Sequence, residues 1–173
     1  QGFNVGQGAV LAIFESEKAR SSVGHAMLMG AFSASESSTN AIGQLESGDG
    51  YAKAIKGALA MADALPEDIK IVKTHGTGTE SNNKAEKNAL AMIPEFVATS
   101  YKQKIGHTMG ASGLLETCLL LDDIKSGIVP KIENRTEKDN VFLSEDATVP
   151  SGYILSLAAG MGNIYSAAIL EAI

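Results

Sequence analysis

The chain has 173 residues, of which 45% are hydrophobic, so it is long enough for one domain with a substantial core. Its formal net charge of −6 argues against general binding to nucleic acids or anionic membranes, because both need clustered Lys and Arg. A single cysteine, Cys118, excludes an internal disulfide, and no membrane-spanning run or signal-peptide pattern is found. We therefore expect a cytoplasmic protein, and because the chain opens with Gln1 in a structured-looking run, we expect its natural start to lie upstream.

The first predicted elements are two apolar strands, over 9–15 and 25–32, which follow one another like a hairpin. His25, at the start of the second strand, is interpreted as a structural or surface residue. A long loop rich in Ser, Gly and Asn covers 33–50. Apolar residues then recur at helical spacing between 51 and 62, which predicts a helix.

The middle of the chain alternates strands and helices. Strands are predicted over 69–74 and 96–100, with a short helix near 82–92 between them. The strongest helix, with a broad apolar stripe, begins near Thr108 and ends before Gly127. Two strands, over 153–159 and 166–173, close the chain. This order predicts an α/β fold with a mostly parallel sheet and right-handed crossovers.

Each of the two middle strands leads into a glycine-flanked histidine. His75 lies in the run 74–79, and His107 lies in the run 106–113. Because ligands bind at the carboxyl ends of parallel strands, the two loops predict one shared site. We expect the imidazoles to lie within about 8 Å of each other, so that both can donate to one developing oxyanion. The alternatives are a loop-capping role for His75 and an N-terminal capping role for His107.

Motifs for nucleotides and metals are absent from the sequence. It contains no G-x-G-x-x-G, no Walker A sequence, no H-E-x-x-H and no C-x-x-C. Three histidines and one cysteine show no zinc-binding spacing. We therefore expect neither a cofactor nor a metal.

At the histidine loops the chain resembles the β-ketoacyl synthases of fatty-acid and polyketide assembly, which have the thiolase fold. The family signature His-Gly-Thr-Gly-Thr matches 75–79 without change, and a second signature matches the run from Lys102 to Gly113. A third, glycine-rich turn survives as Gly160-Met161-Gly162, and the run 2–9 resembles the segment after the family's nucleophile helix. The resemblance covers essentially the whole chain.

The resemblance implies the C-terminal half of a synthase. Its fold would be a five-stranded, mostly parallel mixed sheet with layered helices, together with two strands of the N-terminal half. The implied domains are 1–35, as the last two strands of the missing N-terminal half, and 36–173, as the ketosynthase C-terminal domain.

The resemblance also implies a reaction, a decarboxylative Claisen condensation between malonyl on an acyl carrier protein and an acyl thioester. His75 and His107 would stabilise the enolate, Lys102 would orient the site electrostatically, and Glu116 would pair with Lys102. The remaining implied positions are a substrate loop and an acyl-pocket gate: Gly76, Thr77, Gly78 and Thr79 in the loop, and Gly160, Met161 and Gly162 in the gate.

Three departures from the family pattern bear on function. The family's catalytic cysteine lies upstream of the segment that matches Gly2, and Cys118 is not its equivalent because it lies on the apolar stripe of the helix after His107. Asn83 replaces an acidic residue common in the family. The family's Gly-Thr-Asn is lost after Met161. We expect the chain alone not to elongate acyl groups, since it has no activated nucleophile.

Two function classes remain open from the sequence. The first is half of an active synthase, whose partners would be an acyl carrier protein, the N-terminal half and a second subunit in a homodimer or heterodimer. The second is a non-catalytic partner subunit like a chain-length factor. The individual residues also have ordinary alternatives: Lys102 as a solvated lysine, Glu116 as an exposed helix carboxylate and Met161 as a core residue. Carrier-protein docking would use basic residues, of which the candidates are Lys53, Lys56, Lys84 and Lys87.

Overall fold

The computed structural model describes residues 2–19, 23–37, 44–132 and 145–173. In chain order the elements are β1 (Ala26–Ser35), α1 (Asp49–Ala62), β2 (Ile69–Lys73), α2 (Glu80–Leu90), β3 (Val97–Thr99), α3 (Lys102–Ile105), α4 (Ser112–Lys125), β4 (Ile128–Val129), β5 (Ala147–Thr148), β6 (Tyr153–Gly160) and β7 (Ile164–Ala172). The helices and strands predicted between residues 51 and 173 are confirmed. Helix α4 begins later than predicted because a 3₁₀ turn at Met109–Ala111 precedes it. Helix α3 and the β4–β5 pair were not predicted.

The main sheet has five strands in the order β1-β7-β6-β2-β3. Strand β2 is parallel to both of its neighbours, β3 and β6, as helical crossovers allow, whereas β6 and β7 are antiparallel across a tight turn. Strand β1 is antiparallel to β7. The predicted five-stranded mixed sheet is confirmed, but only two of its four pairings are parallel, so it is not mostly parallel.

The second of the two strands assigned to the missing half lies in this sheet instead. Strand β1 pairs with β7 from Ala26 opposite Ala172 to Ser35 opposite Ile164. Helix α1 packs directly on it, since a Cβ at Gly30 would lie 2.5 Å from the carbonyl oxygen of Ala58. The strand predicted from apolar content is confirmed, but its assignment to the other half, which followed from the family resemblance, was wrong because its hydrogen-bonded partner is β7 of the main sheet.

The other strand assigned to the missing half, predicted over 9–15, is absent from the described structure. The described residues of the segment 6–19 form no strand, and no hairpin joins this segment to β1; the turn expected between them falls partly outside the described residues. Three of its apolar side chains are largely exposed, with exposed fractions of 87% for Leu11, 83% for Ile13 and 71% for Phe14. Within the described residues, this segment has no strand partner, and it approaches α4 at Gly8, where a Cβ would lie 2.7 Å from the Leu115 side chain.

The sheet is covered on both faces. Alternate residues of the central strands point to opposite sides, so that Leu155 and Leu157 pack with α1 and α2 while Ile154 packs on the side of α4. The buried face of α1 follows helical spacing and consists of Tyr51, Ala54, Ile55, Ala58 and Leu59. Both layers leave the carboxyl ends of β2 and β3 free to carry loops.

Candidate active site

The two histidine loops leave the sheet side by side. Strands β2 and β3 are parallel neighbours, with Lys73 opposite Thr99 at their carboxyl ends. The pairing continues into the first loop, where the backbone N–H of Thr74 donates to the carbonyl oxygen of Thr99 over 3.0 Å. Adjacent parallel strands therefore deliver both loops to one edge of the sheet.

The structure brings His75 and His107 together. Their ring centroids lie 5.4 Å apart, and the ring planes meet edge to face at 79°. This separation is within the 8 Å expected from the sequence. His75 is buried and His107 is half-buried, so the pair has one inner and one outer ring. Two imidazoles at this distance can reach one small polar group.

The His75 loop is held by a buried carboxylate from α2. Glu86 accepts hydrogen bonds from the backbone N–H of His75, over 2.6 Å, and of Gly76, over 3.0 Å. Gly76 has a φ of +60°, and a Cβ there would lie 2.3 Å from the hydroxyl oxygen of Ser100. The glycine of the signature thus permits a tight turn that aims two N–H groups at one carboxylate.

The same carboxylate is tied to α1. The Asn82 side-chain amide donates to Glu86 over 2.6 Å, and the Tyr51 hydroxyl donates to the Asn82 oxygen over 2.8 Å. All three side chains are buried. The position of His75 therefore depends on a hydrogen-bond chain that runs back into the core.

The His107 loop is held by the N-terminal segment. The backbone N–H of His107 donates to the carbonyl oxygen of Asn4 over 2.7 Å, and the carbonyl oxygen of His107 accepts from the backbone N–H of Gly6 over 3.0 Å. These two hydrogen bonds form a short parallel bridge between Val5 and His107. The backbones touch at Gly106, since a Cβ on Gly6 would lie 2.2 Å from the carbonyl oxygen of Ile105 and 3.1 Å from Gly106. Residues 4–6 thus fix the backbone of the second histidine.

Local contacts also fix the ring of His107. Its Nδ1 accepts a hydrogen bond from the backbone N–H of Met109 over 3.1 Å. In the neutral imidazole the proton must then lie on Nε2, which becomes a donor. The ring of Phe3 packs edge to face against it with a centroid separation of 4.8 Å. The ring is oriented with its donor nitrogen available.

Lys102 and Glu116 form a buried ion pair behind the histidines. The Lys102 Nζ lies 2.6 Å from Glu116 Oε1, and the Ser112 hydroxyl also donates to that oxygen. Their side chains are 2% and 0% exposed. The alternatives of a solvated lysine and an exposed helix carboxylate are therefore wrong. The unpredicted helix α3 begins at Lys102 and turns its side chain inward.

Both imidazoles are held toward the neutral form. Burial lowers the pKa of His75 well below its ordinary value, and the positive charges of Lys102 and Lys73 lower it further. Burial and then Lys102 lower the pKa of His107, against the opposing effect of Glu116. At neutral pH each ring can therefore donate one hydrogen bond without carrying charge.

Residues with an evident structural role were missed by sequence reasoning. Glu86, Asn82 and Lys73 are buried polar residues around the His75 loop. The periodicity of α2 gave a signal for Glu86, since it lies on the same helical face as the buried Asn82. The sequence signal for a buried Lys73 was weaker: it is a lysine at the end of a strand with several apolar residues.

The remaining predicted positions lie in three places. Thr77 and Thr79 share a hydrogen bond of 3.0 Å between their hydroxyl oxygens, and Gly78 has a φ of +74°. Met161 lies with Gly162 in the turn between β6 and β7, directly after Gly160 at the end of β6. It is 75% exposed, so its core alternative is wrong. Cys118 is a half-buried free thiol within α4.

Within the described residues, no group of three or more His, Cys, Asp and Glu is arranged to hold a metal ion. The helices in that part of the chain are too short or too polar to cross a membrane. Lys53, Lys56, Lys84 and Lys87 are exposed, and Lys84 pairs with Glu46 and Glu80.

Comparison with known families settles what kind of domain this is. The profile described as "Beta-ketoacyl synthase, C-terminal domain" matches residues 22–136. The chain belongs to the β-ketoacyl synthase family. The match begins just before β1, in agreement with the pairing of this strand in the main sheet.

Relatives of this ketosynthase domain include polyketide enzymes. The tetracenomycin polyketide synthase ketoacyl synthase alpha subunit of Streptomyces glaucescens is 30% identical over 185 residues, which cover 98% of this chain and 42% of that protein. The chain therefore spans about two fifths of the length of this curated relative.

Solved ketosynthase structures share the fold. One is a type II polyketide synthase acyl carrier protein in complex with its ketosynthase bound to the hexaketide, with a TM-score of 0.77, 24% identity, and coverage of 86% of this chain and 39% of that one. Another is a ketosynthase in complex with its chain length factor from Xenorhabdus doucetiae, with a TM-score of 0.77 and 22% identity. That match covers 88% of this chain and 40% of the other. These likenesses establish a thiolase-like ketosynthase fold.

Proposed function

We propose that this chain supplies the enolate-stabilising half of a β-ketoacyl-acyl-carrier-protein synthase in fatty-acid or polyketide synthesis. The observation that carries the proposal is the convergence of two imidazoles, 5.4 Å apart at the ends of adjacent strands and beside a buried Lys102–Glu116 pair. Neutral donors in a partly dehydrated site are suited to an oxygen on which negative charge develops.

The proposed reaction starts with a malonyl thioester on an acyl carrier protein. Its terminal carbon–carbon bond breaks, carbon dioxide leaves, and the electron pair moves onto the thioester carbonyl as an enolate. The Nε2–H of His107 and the ring N–H of His75 would donate to that oxygen, and preorganised donors of this kind each lower a barrier by a few kcal/mol. The enolate carbon then attacks an acyl thioester and expels the thiolate that carried the acyl group.

The thiolate in this scheme belongs to a cysteine outside this chain. Cys118 is half-buried within α4, on the helix that also carries Glu116, and we assign it no role in acyl transfer. The nucleophile would come from an N-terminal ketosynthase half, to which the segment 2–19 would belong. The proposal also includes a dimer and a carrier protein that docks on basic residues such as Lys53 and Lys56. It further includes an acyl gate at Met161 and a cytoplasmic location.

A second candidate function is a non-catalytic partner subunit. It is favoured by the similarity to a ketosynthase solved in complex with its chain length factor. The burial and pairing of Lys102 favour the active synthase, because a subunit that only shapes a pocket has no need of a buried ion pair beside two neutral imidazoles.

The two candidates differ in malonyl decarboxylation. In the assembled synthase, His75→Ala or His107→Ala should lower the rate of carbon dioxide release from malonyl carrier protein by about 100-fold or more, the effect of removing one oxyanion donor. Acylation of the nucleophilic cysteine should continue. Release of labelled carbon dioxide and mass spectrometry of the acyl-enzyme measure the two steps.

His25→Ala is the matched control, because His25 is exposed and outside the site. It should leave both steps unchanged. Decarboxylation at the wild-type rate in both His75→Ala and His107→Ala would refute the enolate-stabilising role and leave the partner-subunit function.

A further inference from the structure

Helix α3 has only four residues, yet it places Lys102 in the interior. A helix of one turn is not stable by itself, because fixing the first turn costs more backbone entropy than so few hydrogen bonds recover. The position of α3 must therefore come from contacts at its ends. At the C-terminal end, Gly106 has a φ of +73° and donates its N–H to the carbonyl oxygen of Lys102 over 2.8 Å, just before His107. At the other end, the contact is made by Tyr101.

Tyr101 connects the start of α3 to α4. Its carbonyl oxygen accepts the backbone N–H groups of Lys104, over 2.8 Å, and of Ile105, over 3.0 Å, so this residue begins the helix. Its hydroxyl donates to Oδ2 of Asp123, in the last turn of α4, over 2.6 Å. Tyr101 is 4% exposed and belongs to the same apolar cluster as Leu120. Both the ring and the hydroxyl of Tyr101 are therefore engaged on the α4 side of the sheet.

Lys102, the next residue, reaches α4 at a second point. Its Nζ lies 2.6 Å from Oε1 of Glu116. Glu116 and Asp123 are two helical turns apart, so they lie on one face of α4 and about 10 Å from each other along its axis. The fully buried Leu120 lies between them on that face. Two successive residues thus attach α3 to α4, one through a hydrogen bond and one through a buried ion pair.

The hydrogen bond of Tyr101 also closes a loop around the site. It joins two residues that are 22 positions apart in the chain. The stretch between them carries Lys102, His107 and Glu116, whereas His75 is held separately by α2. A side chain outside the predicted site therefore connects the two ends of the segment that carries most of it.

We propose that Tyr101 and Asp123 are positioning residues of the two-histidine site, because their hydrogen bond holds α3 against α4 where Lys102 reaches Glu116. Tyr101 acts through Lys102 and has no reacting group of its own in this role. If α3 moved away from α4, the ammonium of Lys102 would lose its opposite charge in the interior, which is costly. The catalytic consequence rests on the proposed function, whereas the attachment of α3 does not.

The electrostatics of the pair agree with this role. Burial raises the pKa of Tyr101, and the hydrogen bond to Asp123 and the charge of that carboxylate raise it further. The phenol is therefore the donor at neutral pH, and the carboxylate is the acceptor. Hydrogen bonds in which one partner is ionised are shorter and stronger than those between neutral groups. This contact is thus suited to fixing the end of a short helix.

Tyr101→Phe tests the proposal in the full 173-residue chain. Phenylalanine keeps a ring in the apolar cluster and removes only the hydroxyl. The measured quantity is the rate at which the ammonium hydrogens of Lys102 exchange with water, followed by ¹⁵N NMR of Nζ. We expect this exchange to become about five-fold faster, which is the change in the open population that the loss of one typical hydrogen bond produces.

Tyr165→Phe is the matched control. Tyr165 is also a buried tyrosine, its hydroxyl accepts the backbone N–H of Leu45 over 3.4 Å, and it packs in the cluster on the other face of the sheet. A general loss of stability would speed the exchange of Lys102 in both variants, whereas a loss of positioning would do so only in Tyr101→Phe. Equal acceleration in the two variants would overturn the proposal.

Asp123→Ala covers the case in which Tyr101→Phe does not fold. It removes the acceptor and should speed the exchange of Lys102 by a similar factor, whereas Asp122→Ala, at the exposed neighbouring position, should not. In the double variant Tyr101→Phe with Asp123→Ala, the two effects should not multiply, because both changes remove the same hydrogen bond. An unchanged exchange rate in either folded single variant, or a double variant that shows the product of the two effects, would contradict the proposed role.

Carbon dioxide release separates this proposal from the proposed function. In the assembled synthase, Tyr101→Phe should lower the rate of release by about the same five-fold factor, with acylation of the nucleophilic cysteine retained. Release at the wild-type rate from an active assembly of this variant would overturn the positioning role. An assembled wild-type protein with no decarboxylation would instead remove the proposed function, while faster exchange of Lys102 in Tyr101→Phe would still support the attachment of α3 by Tyr101.

Discussion

The two histidine loops are held in place by different kinds of contact. The His75 loop is attached to a buried side chain, Glu86, which is connected through Asn82 to the core helix α1. The His107 loop is attached by backbone hydrogen bonds to Asn4 and Gly6, in a segment that is largely exposed. One donor of the site is therefore positioned by the core of the domain and the other by the N-terminal segment.

Because the two anchors differ, substitutions at one should change the stability of the domain and substitutions at the other should change mainly the geometry of the site. A change at the His75 anchor removes the acceptor of several buried donors, so it affects folding as well as the site. A change at the His107 anchor affects contacts that are partly exposed to water, so it should move one imidazole and leave the core intact. Three substitutions test this contrast.

The largest effect is expected for Glu86→Ala. It leaves the N–H groups of His75 and Gly76 and the amide of Asn82 without their acceptor in the interior. Unsatisfied buried donors cost roughly 1–3 kcal/mol each, so we expect a loss of about 3 kcal/mol or more in the free energy of unfolding, measured by urea denaturation. The control is Glu80→Ala on the same helix, whose carboxylate is exposed and should change stability by about 0.5 kcal/mol or less. A loss below about 1 kcal/mol in Glu86→Ala would mean that the His75 loop is held by something else.

A smaller effect, confined to the second loop, is expected for Gly6→Ala. The added methyl group would meet the backbone of Ile105 and Gly106, so the N-terminal segment must move away from the loop. We expect a cost of about 1–3 kcal/mol, the range for overpacking, with the NMR resonances of His107 displaced and those of His75 retained. Gly110→Ala is the control, because no atom lies within 4 Å of the position of its Cβ. Equal displacement of both histidines would show that the loops are not independently anchored.

The smallest effect is expected for Phe3→Ala. It removes the edge-to-face contact with His107, which is worth about 0.5–1.5 kcal/mol. The hydrogen bond from Met109 to Nδ1 should survive, so the ring should keep its tautomer but gain mobility, which ¹⁵N relaxation measures. Phe14→Ala serves for comparison, since its side chain is 71% exposed and should matter little. If the tautomer itself changed in Phe3→Ala, the orientation of His107 would depend on Phe3 and not on Met109.

The sequence was sufficient for those parts of the site that depend on strand order. Two apolar strands followed by His75 and His107 predicted the convergence, because parallel neighbours end at one edge. Apolar content correctly predicted the strand at 25–32 but failed for 9–15, since a strand exists only with a hydrogen-bonded partner, which the pattern does not name. Glu86 and Lys73 were missed for a related reason: a charged residue becomes a buried one only through partners on other elements.

The adjacency of β2 and β3 has a consequence for evolutionary divergence. Backbone hydrogen bonding sets the spacing of two paired strands at about 4.7–4.9 Å, whatever side chains fill the layers above and below. The interior can therefore exchange one apolar residue for another over long lineages without changing the distance between His75 and His107. Insertions within the two short loops are a different matter, because they would alter that distance at once. Length conservation in these loops, rather than residue conservation in the core, is the trace that selection on this site should leave.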